Sequence, residues 1–186
     1  MCQPASFVVT KDRVFWSKAH ESHEEIIREY GLHADGARGP NIVRVEISPE
    51  ASDFTLPLDQ WAFRLDQDDR PKWYDAAEVK RRVRESLPEW MAAKVVLPGQ
   101  TRKSVKDGEV VVATYGTVQS VEGGTVQSVY GGTVQYVYGG TVQSVRGGTV
   151  TYYITPDLSI LRSPNAVLID RSSGRPVCHV GKEAAE

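Results

Sequence analysis

Residues 117–148 repeat one alternation four times: polar, Val, polar, polar, Val, variable, Gly, Gly. The copies begin at Thr117, Thr125, Thr133 and Thr141, and a degenerate fifth begins at Thr149. Thr-Val-Gln-Ser-Val is β-branched and free of proline, which favours extended backbone. Gly-Gly then lets the chain turn sharply. Two glycines in every eight residues exclude a helix. In the same phase, the fifth position of successive octads from residue 101 to 180 reads Val105, Ala113, Val121, Val129, Val137, Val145, Tyr153, Leu161, Ile169 and Val177. Nine of these ten are aliphatic, so the register is expected to run to the C-terminal end, with imperfect units such as the Arg102 and Gly174 octads as capping rungs.

Two strand architectures fit such an array. A β-solenoid stacks equivalent residues and gathers both valines of each octad on the inner side of a bend. An antiparallel β-meander makes Gly-Gly a hairpin turn and splits the valines between two half-polar faces. Burial demands one apolar side, so the solenoid is favoured over the meander. Two octads per coil predict about five coils.

Residues 1–100 alternate differently and read as a small α/β or α+β domain. Ser6–Thr10 and Val14–Trp16 form two strands around a Lys11-Asp12-Arg13 turn. Ser22 and Glu25 make a capping box for a helix that stops at Gly31. Asn41–Ile47 and Trp61–Leu65 alternate as half-buried strands. Asp75 and Glu78 make a second capping box, and Val79, Val83 and Leu87 line one helical face until Pro88. Pro98-Gly99 is the expected joint to the solenoid at 101–180, and 181–186 form a flexible tail.

The array resembles repeats of uncharacterised bacteriophage and prophage proteins with tandem Thr-Val-Gln-x-Val-x-Gly-Gly octads, strongly over residues 109–156. A small domain ahead of the array is similar to that group as well. The resemblance implies a viral or mobile-element origin and a β-solenoid, and it implies no activity.

Outward octad positions carry tyrosines. Tyr130 and Tyr138 occupy the variable sixth position, and Tyr136 and Tyr152 replace the fourth-position Ser. With Tyr115 and Tyr153 they suit an aromatic binding surface, large in area and poor in rotors. The plain alternative is ring stacking between rungs that stiffens the array and binds nothing.

Chemistry elsewhere is sparse. Removal of Met1 would leave Cys2 as the terminal residue, a thiol beside a free α-amine. Followed by a strand and turn, it resembles the N-terminal-nucleophile hydrolases, and the resemblance implies Cys2 as nucleophile. His23 is its candidate base partner. His20 and His23 near Cys2 would also suit a thiol–imidazole pair, and Cys178-His179 would join only if the chain folded back. Ligand spacing for a metal is not seen, and no cofactor is implied. Asp66–Asp75 is rich in acids and aromatics but lacks the glycine and glutamate of a calcium loop, so a polar connection is the simpler reading. Lys80, Arg81, Arg82 and Arg84 form a basic helix side offset by Asp75, Glu78 and Glu85.

A formal net charge of −2 and 40% hydrophobic residues describe an ordinary folded protein. No apolar run reaches the ~20 residues of a membrane span. The first residues lack the basic and apolar parts of a secretory signal, so the host cytoplasm is the expected location. Glu109–Pro156 holds only Glu109, Glu122 and Arg146 as charged residues, which argues against DNA mimicry and against a nucleic-acid partner. Three function classes therefore compete: an interaction protein whose solenoid face binds a host or phage protein, with antagonism of a host factor or defence system as one form; a Cys2-dependent hydrolase or transferase; and an ice or glycan binder using Thr and Gln ladders. The first is preferred, and exposed end rungs leave room for pairing between copies.

Overall fold

A computed structural model describes residues 5–36, 39–153, 161–162 and 164–180. Cys2 and the 181–186 tail lie outside these described residues. The chain divides into two compact units, Met1–Ala92 and Ala93–Glu186.

The first unit is built on a four-stranded antiparallel sheet, ordered β2-β1-β5-β6, with β1 (Ala5–Val9), β2 (Val14–Phe15), β5 (Val43–Ser48) and β6 (Ala62–Leu65). A short ribbon of β3 (Asp35–Gly36) and β4 (Gly39–Pro40) precedes β5. All five residues of β1 are buried, as a strand covered on both faces requires. Helix α1 (His23–Glu29) contributes Ile26 to a core with Val8 and Ile42, and Phe15, Ile27 and Leu32 pack around it. Ser22 caps this helix by accepting from Glu25 N at 3.2 Å. At the other end Gly31 takes φ +59°, Gly31 N donates to Arg28 O and Leu32 N to Ile27 O, which satisfies the last carbonyls in a Schellman turn.

Helix α2 (Ala76–Lys94) starts where Asp75 Oδ1 accepts from Glu78 N at 2.9 Å. It does not stop at Pro88, as its sequence predicts, but runs through it. An internal proline costs a hydrogen bond and roughly 3 kcal/mol. The apolar face explains why the helix continues: Val79, Val83 and Leu87 are followed by buried Trp90 and Met91. Trp90 meets Trp61 edge to face at 6.4 Å, and Trp61 meets Phe54 at 5.7 Å. Burying two such side chains contributes roughly 1.5–3 kcal/mol each, enough to offset the proline.

The second unit is a β-solenoid of about four turns. Its strands are β7 (Val95–Val96), β8 (Thr101–Val105), β9 (Val110–Thr114), β10 (Thr117–Val121), β11 (Thr125–Val137), β12 (Thr141–Val142), β13 (Ser144–Tyr152), β14 (Leu161–Arg162), β15 (Ala166–Asp170) and β16 (Val177–Val180). Thr101, Thr117 and Thr133 stack in parallel register, as do Val105, Val121 and Val137. Thr125 and Thr141 stack on the alternate ladder. Val118, Val121, Val126, Val129, Val134 and Val145 have no exposed surface, so the paired valines form one continuous core. Neighbouring coils pair in parallel, which excludes the meander.

Three expectations need correction. The first rung lies earlier than Pro98-Gly99, because Val95–Val96 already pairs in parallel with β9. The last expected unit is not a coil: β16 turns back and pairs antiparallel with β15, so about four turns replace about five. The fifth copy also slips by one residue. Val137 pairs with Tyr152 rather than Tyr153, and Tyr152 is only 5% exposed. In the copies from 117 to 145 the two inward valines stand three apart. Where Thr151 replaces the usual Gln, the strand keeps a plain alternation and buries Val150 and Tyr152, two apart.

Candidate functional site

The solenoid brings Tyr136, Tyr138 and Tyr153 together. Tyr136 lies near the end of β11 and Tyr138 in the bend just after it, and their rings meet on the same side. Tyr153 arrives from the following coil, because the register slip that buries Tyr152 turns its neighbour outward. Ring centroids are 5.9 Å apart for Tyr136–Tyr138, 5.7 Å for Tyr136–Tyr153 and 5.3 Å for Tyr138–Tyr153, with interplanar angles of 13°, 39° and 26°. These separations lie inside the favourable aromatic range. Tyr136 remains 41% exposed and Tyr138 53% exposed. One coil earlier, Ser120 pairs in register with Tyr136, and its Oγ donates to Glu122 Oε1 at 2.8 Å.

The other tyrosines are placed differently. Tyr152 is withdrawn from the binding set, since it is buried and its hydroxyl is bonded to Asp170. Tyr115 and Tyr130 belong to the alternate ladder. Tyr130 lies under the guanidinium of Arg146, 5.5 Å from the ring centre. Tyr115 is 65% exposed, holds φ +55° and lays its ring against Gly131. The tyrosines thus form two groups, and only Tyr136, Tyr138 and Tyr153 stack as a trio. Tyr153 holds the fifth octad position, which is inward in the regular copies, yet here it joins the outward rings. The legible signal is the Tyr-Tyr pair itself, of which an extended strand must turn one member out.

The catalytic candidates are not assembled. His23 is 4% exposed, with Nδ1 3.1 Å from Asp66 Oδ2 and Nε2 3.1 Å from Val45 O. Both ring nitrogens are therefore engaged, one by a carboxylate and one by a backbone carbonyl. The side chain ties α1 to β5 and to the end of β6, and it has no nitrogen left to activate a thiol. Half-buried His20 lies 3.6 Å from Glu25. Cys178 and His179 sit on β16, in the second unit. No group of three or more His, Cys, Asp or Glu placed to hold a metal ion occurs among the described residues.

The polar segment after β6 works as a connection. Gln67 Oε1 accepts from Arg44 N at 2.8 Å, its Nε2 donates to Ile42 O, and Trp73 Nε1 donates to Asn41 O at 3.3 Å. The basic side of α2 is largely spent on the fold as well. Arg81 pairs with Glu78 and Glu85, and these bonds, Glu78 first, raise the guanidinium pKa. Arg82 donates to Thr10 O and Lys11 O, and Arg84 to Trp61 O.

No helix among the described residues is long and apolar enough to cross a membrane. No known protein family, curated protein or solved structure matches this chain.

Proposed function

We propose that this chain is an interaction protein, and that the stacked Tyr136, Tyr138 and Tyr153 group is the surface that takes its macromolecular partner. In this reading the octad is the repeating unit of the solenoid, two to a coil, and the unit ahead of it is a small mixed α/β domain. The octad resemblance to phage and prophage proteins supports a host or viral protein as the partner, met in the host cytoplasm, with antagonism of a host factor as one form.

The observation that carries the reading is a trio of tyrosines stacked on one another, of which Tyr136 and Tyr138 remain 41% and 53% exposed. Rigid aromatic area loses little conformational entropy on binding and makes good interface anchors. A glycan platform needs free ring faces, and these rings spend theirs on each other. An ice-binding face needs an open hydroxyl array, whereas Thr117, Thr133 and Thr149 are half-buried. A Cys2-centred reaction loses support because His23 is held in the core.

The test is quantitative affinity enrichment from host lysate with the wild-type chain and the Y136S/Y138S variant as baits. A defined protein should be depleted at least about tenfold from the variant eluate, equivalent to about 1.4 kcal/mol of binding. Its thermal unfolding should stay close to that of the wild type. Identical eluates from two folded baits would overturn the assignment.

A further inference from the structure

The first unit holds a cavity of about 340 Å³ beside strand β2, within the usual range of ~300–1,000 Å³ for small-ligand pockets. Its walls are aromatic. Phe15 and Tyr30 meet at 5.0 Å with their planes tilted by 52°, and Tyr30 Oη donates to Trp16 O at 2.9 Å, which fixes the phenol. Burial, and after it the charge of Glu29, raises the Tyr30 pKa, so the hydroxyl stays a neutral donor. Strand β2 ends the sheet, so its outer edge carries no neighbouring strand in that sheet.

Four charges complete the lining, two of each sign: Arg13 and Lys18 against Glu29 and Glu89. Arg13 leans over Phe15, 5.3 Å from the ring centre. Lys18, Glu29 and Glu89 form no ion pair among the described residues. A net charge of zero selects against a purely cationic or purely anionic ligand. An uncharged hydrocarbon would fill the aromatic wall but leave all four charges unused.

We propose that this cavity binds a small zwitterion of the α-amino-acid class. Its ammonium lies toward Glu29 and Glu89, its carboxylate toward Lys18 and Arg13, and its apolar side chain against Phe15, Trp16 and Tyr30. The site belongs to the first unit alone and does not depend on the tyrosine face. Rim charges in contact with water contribute only a few-fold each in affinity, so a dissociation constant on the order of a millimolar is expected.

The test is an amide NMR titration of the full chain with L-phenylalanine, phenethylamine, which lacks the carboxylate, and hydrocinnamate, which lacks the ammonium. L-Phenylalanine should give saturable shifts at Phe15, Trp16 and Tyr30 and bind about fivefold or more tighter than either half-ligand. Exposed Glu29 and Glu89 can be changed without touching the core, and E29Q/E89Q should erase the preference over hydrocinnamate while K18M narrows that over phenethylamine. No saturable shift up to about 20 mM would overturn the proposal. Equal affinity for all three compounds, or an unchanged preference in both folded variants, would overturn it as well.

Discussion

Arg102 Nη2 donates to Glu109 Oε1 at 2.8 Å, at the octad position where the regular copies carry an inward valine. The pair is about three-quarters buried, with side chains 21% and 25% exposed. Arg102 also donates through Nη1 to Ala93 O at 2.7 Å and through Nε to Ser104 O at 3.2 Å, while Glu109 Oε2 accepts from Lys106 N at 2.9 Å. β8 begins its ladder with no earlier strand beside it, and this ion pair and its bonds hold that end of the solenoid. R102A should cost roughly 1–3 kcal/mol, because it strands two carbonyls and a carboxylate. R102V restores the octad pattern and should still destabilise. A double-mutant cycle with E109Q, read by urea unfolding, should give a coupling of about 1 kcal/mol. Additive losses would show that the two residues act separately.

The eighth-position glycines set how closely coils approach. A Cβ on Gly132 would lie 2.5 Å from Gly116 O, and backbone cannot swing aside as a side chain can. Rungs ~4.8 Å apart leave no room for a methyl group pointing at the next coil. G132A is therefore expected to cost about 3 kcal/mol or more, among the larger single-site effects. At Gly174 an added Cβ meets nothing within 4 Å, so G174A should stay within about 0.5 kcal/mol. Thermal unfolding of the two variants separates steric stacking from a general intolerance of alanine.

Much of the solenoid was legible because identity repeats in it: Val118 and Val134, or Val121 and Val137, stack because they are the same residue in the same phase. Legibility fails where the repeat does. Tyr152 goes inward and Tyr153 outward because plain strand alternation replaces the cornered octad. Val177–Val180 keeps aliphatic residues yet reverses direction, which a period of eight cannot reveal. Pro88 marks a helix end by local propensity, but Trp90 and Met91 gain enough from burial to carry α2 past it. The capping boxes at Ser22 and Asp75 are local chemistry and were readable. The Phe15–Tyr30 cavity draws on residues from β2, α1 and α2, and no spacing in the sequence announces it.

His23 is a structural bridge. H23A removes a buried ring together with its hydrogen bonds to Asp66 and Val45 O, so a loss of roughly 2–4 kcal/mol is expected. H23Q keeps a donor and should recover part of it. If Cys2 is reactive, its alkylation rate in a C178S background should be unchanged between wild-type His23 and a folded H23Q chain. A rate that falls with H23Q would restore the thiol–imidazole pair that the geometry denies.

Asp170 gives the turn before β16 a defined response to pH. Its Oδ1 accepts from Ser172 Oγ at 2.6 Å and from Ser172 N at 2.7 Å. These bonds, the Ser172 hydroxyl first, hold the Asp170 pKa below its ordinary value, with smaller help from the Tyr152 hydroxyl and His179 and some opposition from burial. A depressed folded-state pKa means that the stabilisation is complete above the unfolded value of about 3.9 and is lost as pH falls through the folded value. Acidification should therefore loosen the β15–β16 hairpin, seen as faster amide exchange at Cys178 and Val180. S172A removes the leading bond and should move the carboxyl titration of Asp170, followed by ¹³C NMR, back toward the ordinary range. An Asp170 that titrates normally in the wild type, or identically in S172A, would mean that the turn is held by the β15–β16 ladder alone.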